Sequence, residues 1–207
     1  MRIVAVADTH LFHDNLVVPD GDVFVHAGDL CRRGDLEELR TAAAWIAGMP
    51  HRHKVVVAGN HDWAFVREPA RAREIIGDVH YLEDSAVVID GLRFYGAPWQ
   101  PEFCGWAFNL PRGPEIAAVW AKLPHGLDVL ITHGPPEGIG DRIGMPGRTG
   151  CADLLRRVAA IEPRLHVFGH IHEGYGREEA EGTLFVNASS CDEDYRPVNP
   201  PVVVDLD

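Results

Sequence analysis

The chain has 207 residues and a mass of about 22.8 kDa; 46% of it is hydrophobic and 24% charged. A chain of this size buries about 70% of its unfolded surface, so one domain over residues 1–207 is expected, and a disordered or collagen-like chain is excluded. Nineteen basic residues against 31 acidic ones leave a net charge of −12. The basic residues cluster only as pairs, Arg32-Arg33 and Arg156-Arg157, so binding to long nucleic acid or to an anionic membrane is not expected.

Five short apolar runs each end in a polar cluster. Ile3–Ala7 ends in Asp8-Thr9-His10, and Val23–Val25 ends in His26-Ala27-Gly28-Asp29. Asp35 then caps a helix, with Glu38 at the capping-box position and Leu36, Leu39, Ala43 and Ile46 on one face. Gly48 and Pro50 end that helix. Val55–Ala58 ends in Gly59-Asn60-His61-Asp62. Ser85–Ile89, Asp90-Gly91 and Leu92–Tyr95 read as a hairpin, and Pro98–Pro114 as an aromatic loop.

Val129–Ile131 ends in Thr132-His133-Gly134. Gly134–Gly150, with six glycines and three prolines, reads as a long surface loop. A helix from about Ala152 to Ile161 must stop near Pro163. Leu165–Phe168 ends in Gly169-His170-Ile171-His172. Glu181-Gly182 before Thr183–Asn187 is a second hairpin, and Val202–Asp205 a closing strand.

Strands alternating with helices predict an α/β fold with a mixed sheet or two packed sheets. Sites in such folds form where strand ends converge, which would bring the five clusters together. Their Asp, Asn and His side chains are oxygen and nitrogen donors suited to Mn, Fe, Zn, Co or Ni. Seven donors shared by two ions, with one carboxylate bridging, fit a dinuclear centre that activates a hydroxide and holds a phosphoryl group. Phosphate-ester hydrolysis is the first chemistry to consider.

The ordered set Asp8-x-His10, Gly28-Asp29, Gly59-Asn60-His61-Asp62, His133 and Gly169-His170-x-His172 resembles the calcineurin-like metallophosphoesterases. Val25–Asp29, Ala97–Pro101, Phe108–Gly113, Thr132–Pro136 and His166–Gly176 are similar to the metallophosphoesterase-domain-containing (239FB-like) branch, which resembles the class III cyclic nucleotide phosphodiesterases. The resemblance implies a four-layer α/β/β/α sandwich of two mixed β-sheets with the metal site at strand ends. It implies Asp8, His10, Asp29 and His172 on a first divalent metal and Asp29, Asn60, His133 and His170 on a second, with Mn expected first. His61 would protonate the leaving group. The expected activity is hydrolysis of small phosphodiesters, cyclic nucleotides included. A nuclease or phosphomonoesterase on the same site is the alternative, and a non-catalytic scaffold a third reading, disfavoured by the complete donor set.

Other residues read less sharply. Asn60 is a candidate left-handed turn residue after Gly59. His26 is expected to orient a ligand, and Asp62, Thr132 and Glu173 to be structural. His13, His51, His53, His80 and His125 are expected at the surface, and His166 to point outward along its strand. Trp99, Phe103, Trp106 and Phe108 form either a satellite core or a stacking wall, with Trp99 and Phe108 the proposed substrate contacts. Arg142 and Arg148 are candidates to clamp a second phosphate or a carboxylate. Cys31, Cys104, Cys151 and Cys191 have no CxxC spacing and read as mostly buried, reduced thiols of a cytoplasmic protein without leader or membrane span. Pro98–Phe108 would also serve as a contact in a homo-oligomer.

Overall fold

The computed structural model describes residues 1–144 and 147–207; Met145 and Pro146 of the expected Gly134–Gly150 loop lie outside the described residues. In chain order come β1 (Arg2–Val6), β2 (Val23–Ala27), α1 (Leu36–Ala47), β3 (His53–Val57), α2 (Ala64–Arg67), α3 (Pro69–Ile76) and β4 (His80–Tyr81). Next are the hairpin β5 (Ser85–Ile89) and β6 (Leu92–Ala97), the short pair β7 (Gln100–Pro101) and β8 (Asn109–Leu110), and α4 (Pro114–Trp120). The chain then forms β9 (Val129–Thr132), α5 (Ala152–Ile161), β10 (Leu165–Phe168), β11 (Gly176–Ala180), β12 (Thr183–Asn187) and β13 (Val202–Asp205).

Two mixed sheets result. One runs β13-β1-β2-β3-β4, parallel except for β13 against β1. The other runs β11-β12-β10-β9-β6-β5, parallel in its middle and antiparallel at both hairpins.

Alternation along the strands sorts side chains into layers. Ile3, Ala5, Val23, Val25, Val55 and Val57 meet Phe94, Val129, Ile131, Val167 and Val186 between the sheets. On the outer face of the first sheet, Val6, Phe24 and Val56 pack on Leu39, Ala43 and Ile46 of α1 and on Ala72 and Ile76 of α3. On the outer face of the second, Tyr95, Leu130, Phe168 and Phe185 pack on α4 and α5 through Ile116, Trp120, Leu154 and Val158. This is the four-layer α/β/β/α sandwich.

Helices thus cover the outer faces of the central strands, and three histidines read as surface or outward-pointing are buried. His166 follows Leu165 and points outward, but the second helical layer covers it; it is fully buried beside Phe168 and Phe185. His13 is buried and stacked on Trp45, and His51 is buried against Phe24. His53 and His80 are half-buried, and His125 is exposed.

The helix signals translate directly, with one change. Asp35 caps α1 by accepting from the backbone N–H groups of Glu37 (3.0 Å) and Glu38 (2.9 Å). Glu38 does not close a capping box on Asp35. Its Oε2 accepts from three preceding amides, those of Arg32 (3.0 Å), Arg33 (2.6 Å) and Gly34 (2.9 Å). The loop after β2 is thus pinned to the first turn of α1. The Gly134–Gly150 loop also has an interior anchor: buried Asp141 accepts from the amides of Gly138 (2.9 Å) and Gly150 (3.2 Å). All four cysteines are free; Cys31, Cys151 and Cys191 are buried, and Cys104 is exposed. Among the described residues no helix is long and apolar enough to cross a membrane.

Candidate metal centre

The carboxyl ends of the parallel strands of both sheets meet at one edge. Backbone bonds knit them together: Ala7 N–H donates to Ala188 O (2.8 Å), Ser190 N–H to Ala7 O (2.8 Å) and Gly169 N–H to His133 O (2.9 Å). The loops after β1 and β2 are joined by Asp8 N–H to Gly28 O and His10 N–H to Asp29 O. Chain segments more than 160 residues apart in sequence share hydrogen bonds here, as in His170 N–H to the Asp8 carboxylate at 2.9 Å.

Asp29 lies at the hub. Its Oδ2 is 3.5 Å from His133 Nε2, 3.8 Å from His10 Nε2 and 4.0 Å from His61 Nε2. Its Oδ1 accepts from the His61 backbone N–H at 2.8 Å. Asp8 takes a parallel position: His172 Nε2 is 3.6 Å from its Oδ1, and the Ser189 hydroxyl donates to its Oδ2 at 2.7 Å. Asn60 Oδ1 is 2.8 Å from His133 Nε2, and the His170 ring lies 5.0 Å from that of His133.

The imidazoles share an orientation. The Nδ1–H groups of His10, His61, His133 and His172 donate to the carbonyls of Cys31 (3.0 Å), Arg32 (2.6 Å), Ala27 (3.0 Å) and Asp192 (2.8 Å). A carbonyl can only accept, so each ring is held with Nε2 facing inward. His10 Nε2 is buried with no hydrogen-bond partner. A buried nitrogen lone pair aimed at two carboxylates and further imidazoles fits a cation better than it fits the protein alone. Three triads present ligand atoms within 4.8 Å of one another: Asp8-His10-His172, His10-Asp29-His61 and Asp8-Asp29-His133.

Electrostatics follow from this packing. Burial would raise Asp8 and Asp29, yet His172 holds the Asp8 carboxyl, and His133 the Asp29 carboxyl, well below the usual carboxylate range. Burial would lower His133 and His172, but Asp29 and Asp8 respectively outweigh it and hold both at about 9. Burial, aided by cationic His133, lowers His170 to about 4. Asp62 is pushed up to about 6 by burial and by Asp29. It accepts from the amides of Gly59 (2.8 Å), Cys31 (3.0 Å) and Leu30 (3.3 Å), tying the β2 and β3 loops together. His26 bonds Thr9 Oγ1, next to Asp8 in the chain, at 2.9 Å.

Asn60 does not take the left-handed backbone expected of it. Asp8, His10, Asp29 and His170 do, with φ of 50°, 44°, 57° and 68°. Such conformations cost about 1–3 kcal/mol each and gather at functional sites.

A cleft of about 410 Å³ opens over Asp29, Asn60, His61, His170 and His172. Its aromatic wall is Phe103, Trp106 and Tyr195. Trp99 and Phe108 are not part of that wall. They pack edge-to-face on each other at 5.6 Å below the loop, with the Trp99 indole N–H donating to Asp84 at 2.9 Å. Phe108 is buried in the apolar layer over the first sheet and Trp99 packs against that layer, as the satellite-core reading expects of this pair. Arg148 reaches the cleft but is paired with Asp141 at 2.7 Å, while Arg142 lies outside the lining. Arg112 lines the cleft and donates to the carbonyls of Gly150 and Thr149, at 2.7 Å each.

Tyr195 was not legible from sequence. It has a left-handed φ of 60°, held because Asp192 accepts from Arg196 and the Asp192 carbonyl accepts from the Tyr195 amide. Its ring stands edge-on to His10 (4.9 Å) and His172 (5.2 Å). The only local sign is a polar turn before Pro197, which says nothing about where the ring lands.

The comparisons with known proteins agree with this geometry. The chain matches the calcineurin-like phosphoesterase family over residues 1–174. It is 43% identical over 230 residues to metallophosphoesterase domain-containing protein 1 of Homo sapiens, covering 99% of this chain and 71% of that protein. A UPF0046 protein of Caenorhabditis elegans is 37% identical, with 98% of this chain and 74% of that protein covered. In fold the chain is similar to TT1561 of Thermus thermophilus, with TM-score 0.59, 13% identity and coverage of 90% and 88%. It is also similar in fold to an archaeal phosphodiesterase, with TM-score 0.52, 17% identity and coverage of 99% and 93%. The family match takes in every strand end that supplies the converging Asp, Asn and His side chains: this chain belongs to the calcineurin-like phosphoesterase family.

Proposed function

We propose that the protein is a metal-dependent phosphodiesterase acting on small substrates, cyclic nucleotides among them. Asp8, His10, Asp29 and His172 would hold one divalent transition-metal ion and Asp29, Asn60, His133 and His170 a second, manganese being the first to test. The observation that carries this reading is Asp29 Oδ2, which lies within 4.0 Å of three Nε2 atoms whose rings are locked from behind. Ions bound there would supply an activated water and offset the charge that develops on the phosphoryl oxygens.

The chain's own residues do the rest. His61, anchored through Nδ1 to the Arg32 carbonyl, presents Nε2 to the cleft, where a protonated imidazole donates to the departing alkoxide. Tyr195 and Trp106 line the cleft on either side of His61 and would border the reacting position. The net charge of −12 favours small substrates over duplex nucleic acid.

The test is hydrolysis of a chromogenic aryl phosphodiester by purified protein, metal-free and after adding Mn²⁺. Turnover that appears only with metal is expected. No turnover with Mn²⁺, Co²⁺, Ni²⁺ or Zn²⁺ would overturn the reading.

A further inference from the structure

The centre borders a second hollow. On the far side of His61 and Tyr195 lies a space of about 470 Å³ bounded by His10, Leu11, Arg32, Arg33 and Glu38. The two arms differ in how their arginines are used. On the aromatic side, Arg148 is neutralised by Asp141 and Arg112 is bound to two backbone carbonyls. On the other side, Arg32 and Arg33 are exposed, and among the described residues neither guanidinium is paired with a carboxylate. The acid of this arm, Glu38, directs its Oε2 to the backbone amides of Arg32, Arg33 and Gly34.

That arrangement has two consequences. The backbone carrying both guanidiniums is fixed by three amide bonds to one carboxylate, and the Arg32 guanidinium rests 5.2 Å over the Phe12 ring. The same loop orients His61 through the Arg32 carbonyl at 2.6 Å. Two guanidiniums that no carboxylate pairs among the described residues thus extend from a fixed stretch of backbone beside the proposed reacting position, in a chain of net charge −12. Guanidinium groups bind phosphate oxygens through paired, charge-assisted hydrogen bonds.

We propose that the Arg32–Arg33 arm binds a second phosphate group of the substrate, so that the preferred diester carries a terminal phosphate on one of its two alcohols. The proposal rests on the phosphoester reading of the centre. It names an anion clamp in addition to the candidates Arg142 and Arg148.

The test is equilibrium binding by calorimetry to Mn²⁺-loaded protein, comparing butyl phosphate with butanediol bisphosphate. The bisphosphate is expected to bind about tenfold tighter. The double variant Arg32→Gln, Arg33→Gln should lose that advantage while butyl phosphate affinity moves less than about twofold. Arg32→Lys, Arg33→Lys should recover part of it, with an unchanged melting temperature confirming intact folding. Equal affinity for both ligands in the wild type overturns the proposal and leaves the centre's reading standing. So does an equal loss for both ligands in the double variant. Failure of butyl phosphate itself to bind in the presence of Mn²⁺ overturns the phosphoester reading, and the second arm with it.

Discussion

The Trp106 indole lies stacked on the His61 imidazole, ring centroids 4.3 Å apart and planes 28° from parallel. His10 meets the same imidazole edge-on at 4.8 Å, and the Arg32 carbonyl holds its Nδ1. The ring is therefore held by a face, an edge and a hydrogen bond, which leaves Nε2 one direction to point. Trp106 comes from the loop between β7 and β8 and His61 from the end of β3. The loop is joined to that strand end by the Ala107 amide donating to Asn60 O at 3.2 Å.

In the proposed reaction Trp106 would accordingly be a positioning residue for His61. Trp106→Ala should lower kcat roughly tenfold through a misplaced His61, with bound metal unchanged. Trp106→Phe, which keeps a stacking face, should recover most of the rate. Steady-state kinetics beside metal analysis of the same samples reads both. A fall in metal content would instead assign Trp106 to the integrity of the centre.

His61→Ala should cost about 10²–10⁴-fold in kcat on diesters with alkyl leaving groups. The loss should be much smaller on a nitrophenyl diester, because nitrophenolate departs without needing a proton. Rates for a matched pair of such substrates decide the matter. Equal losses on both would remove His61 from the role of acid.

Asp29 sits at the hub of the imidazoles, so metal should stabilise the wild type through it. A ligand present at about 100 times its Kd adds about 2.7 kcal/mol of folding free energy. Thermal unfolding with excess Mn²⁺ and with chelator should show a clear upward shift for the wild type and none for Asp29→Ala. A shift retained in the variant would move the bridging role to another residue.

His26 and His166 are fully buried, and burial pushes both imidazoles down to about 3. In the unfolded chain they titrate near about 6.5. Between these values the unfolded state binds protons that the folded state does not, so this stability is present above about pH 6.5 and falls as pH drops toward about 3. Each histidine contributes a loss of about 1.4 kcal/mol per pH unit in that window. Urea unfolding at steps from about pH 7 to about pH 5 should show the decline. His166→Gln, which keeps a partner for Thr132, should remove about half of this slope, His26 keeping its share; an unchanged slope would point to other groups.

Gly169 leaves room that the Asp8 carboxylate fills: a Cβ there would collide with Asp8 Oδ2 and with Ala7. Gly169→Ala should displace Asp8 and weaken metal binding by more than about tenfold, a loss expected of a disturbed ligand shell. Metal titration followed by calorimetry checks this. Wild-type affinity would show that the β10 loop can shift without disturbing Asp8.

Much of this protein is local information, and its sequence determines that part unaided. The short continuous apolar runs specify strands, Asp35 and Pro163 bound helices, and Asp90-Gly91 and Glu181-Gly182 turn hairpins, because each depends on residues within a few positions. The converging donors were legible for a related reason: parallel strands place their carboxyl ends on one edge, so residues after such strands must meet.

Tertiary structure decided what depends on the second partner. Whether His166 faces water turns on α4 and α5, which lie elsewhere in the chain. Whether Trp99 or Trp106 borders the cleft turns on the pairing of β7 with β8, two residues each. Tyr195 reaches the centre only because the Asp192 turn bends the chain back over the edge of both sheets. Arg32 and Arg33 resemble any exposed pair until Glu38 is seen to have directed its carboxylate to their amides. Charge and aromaticity are properties of residues, but which face they present is set by packing between segments far apart in sequence.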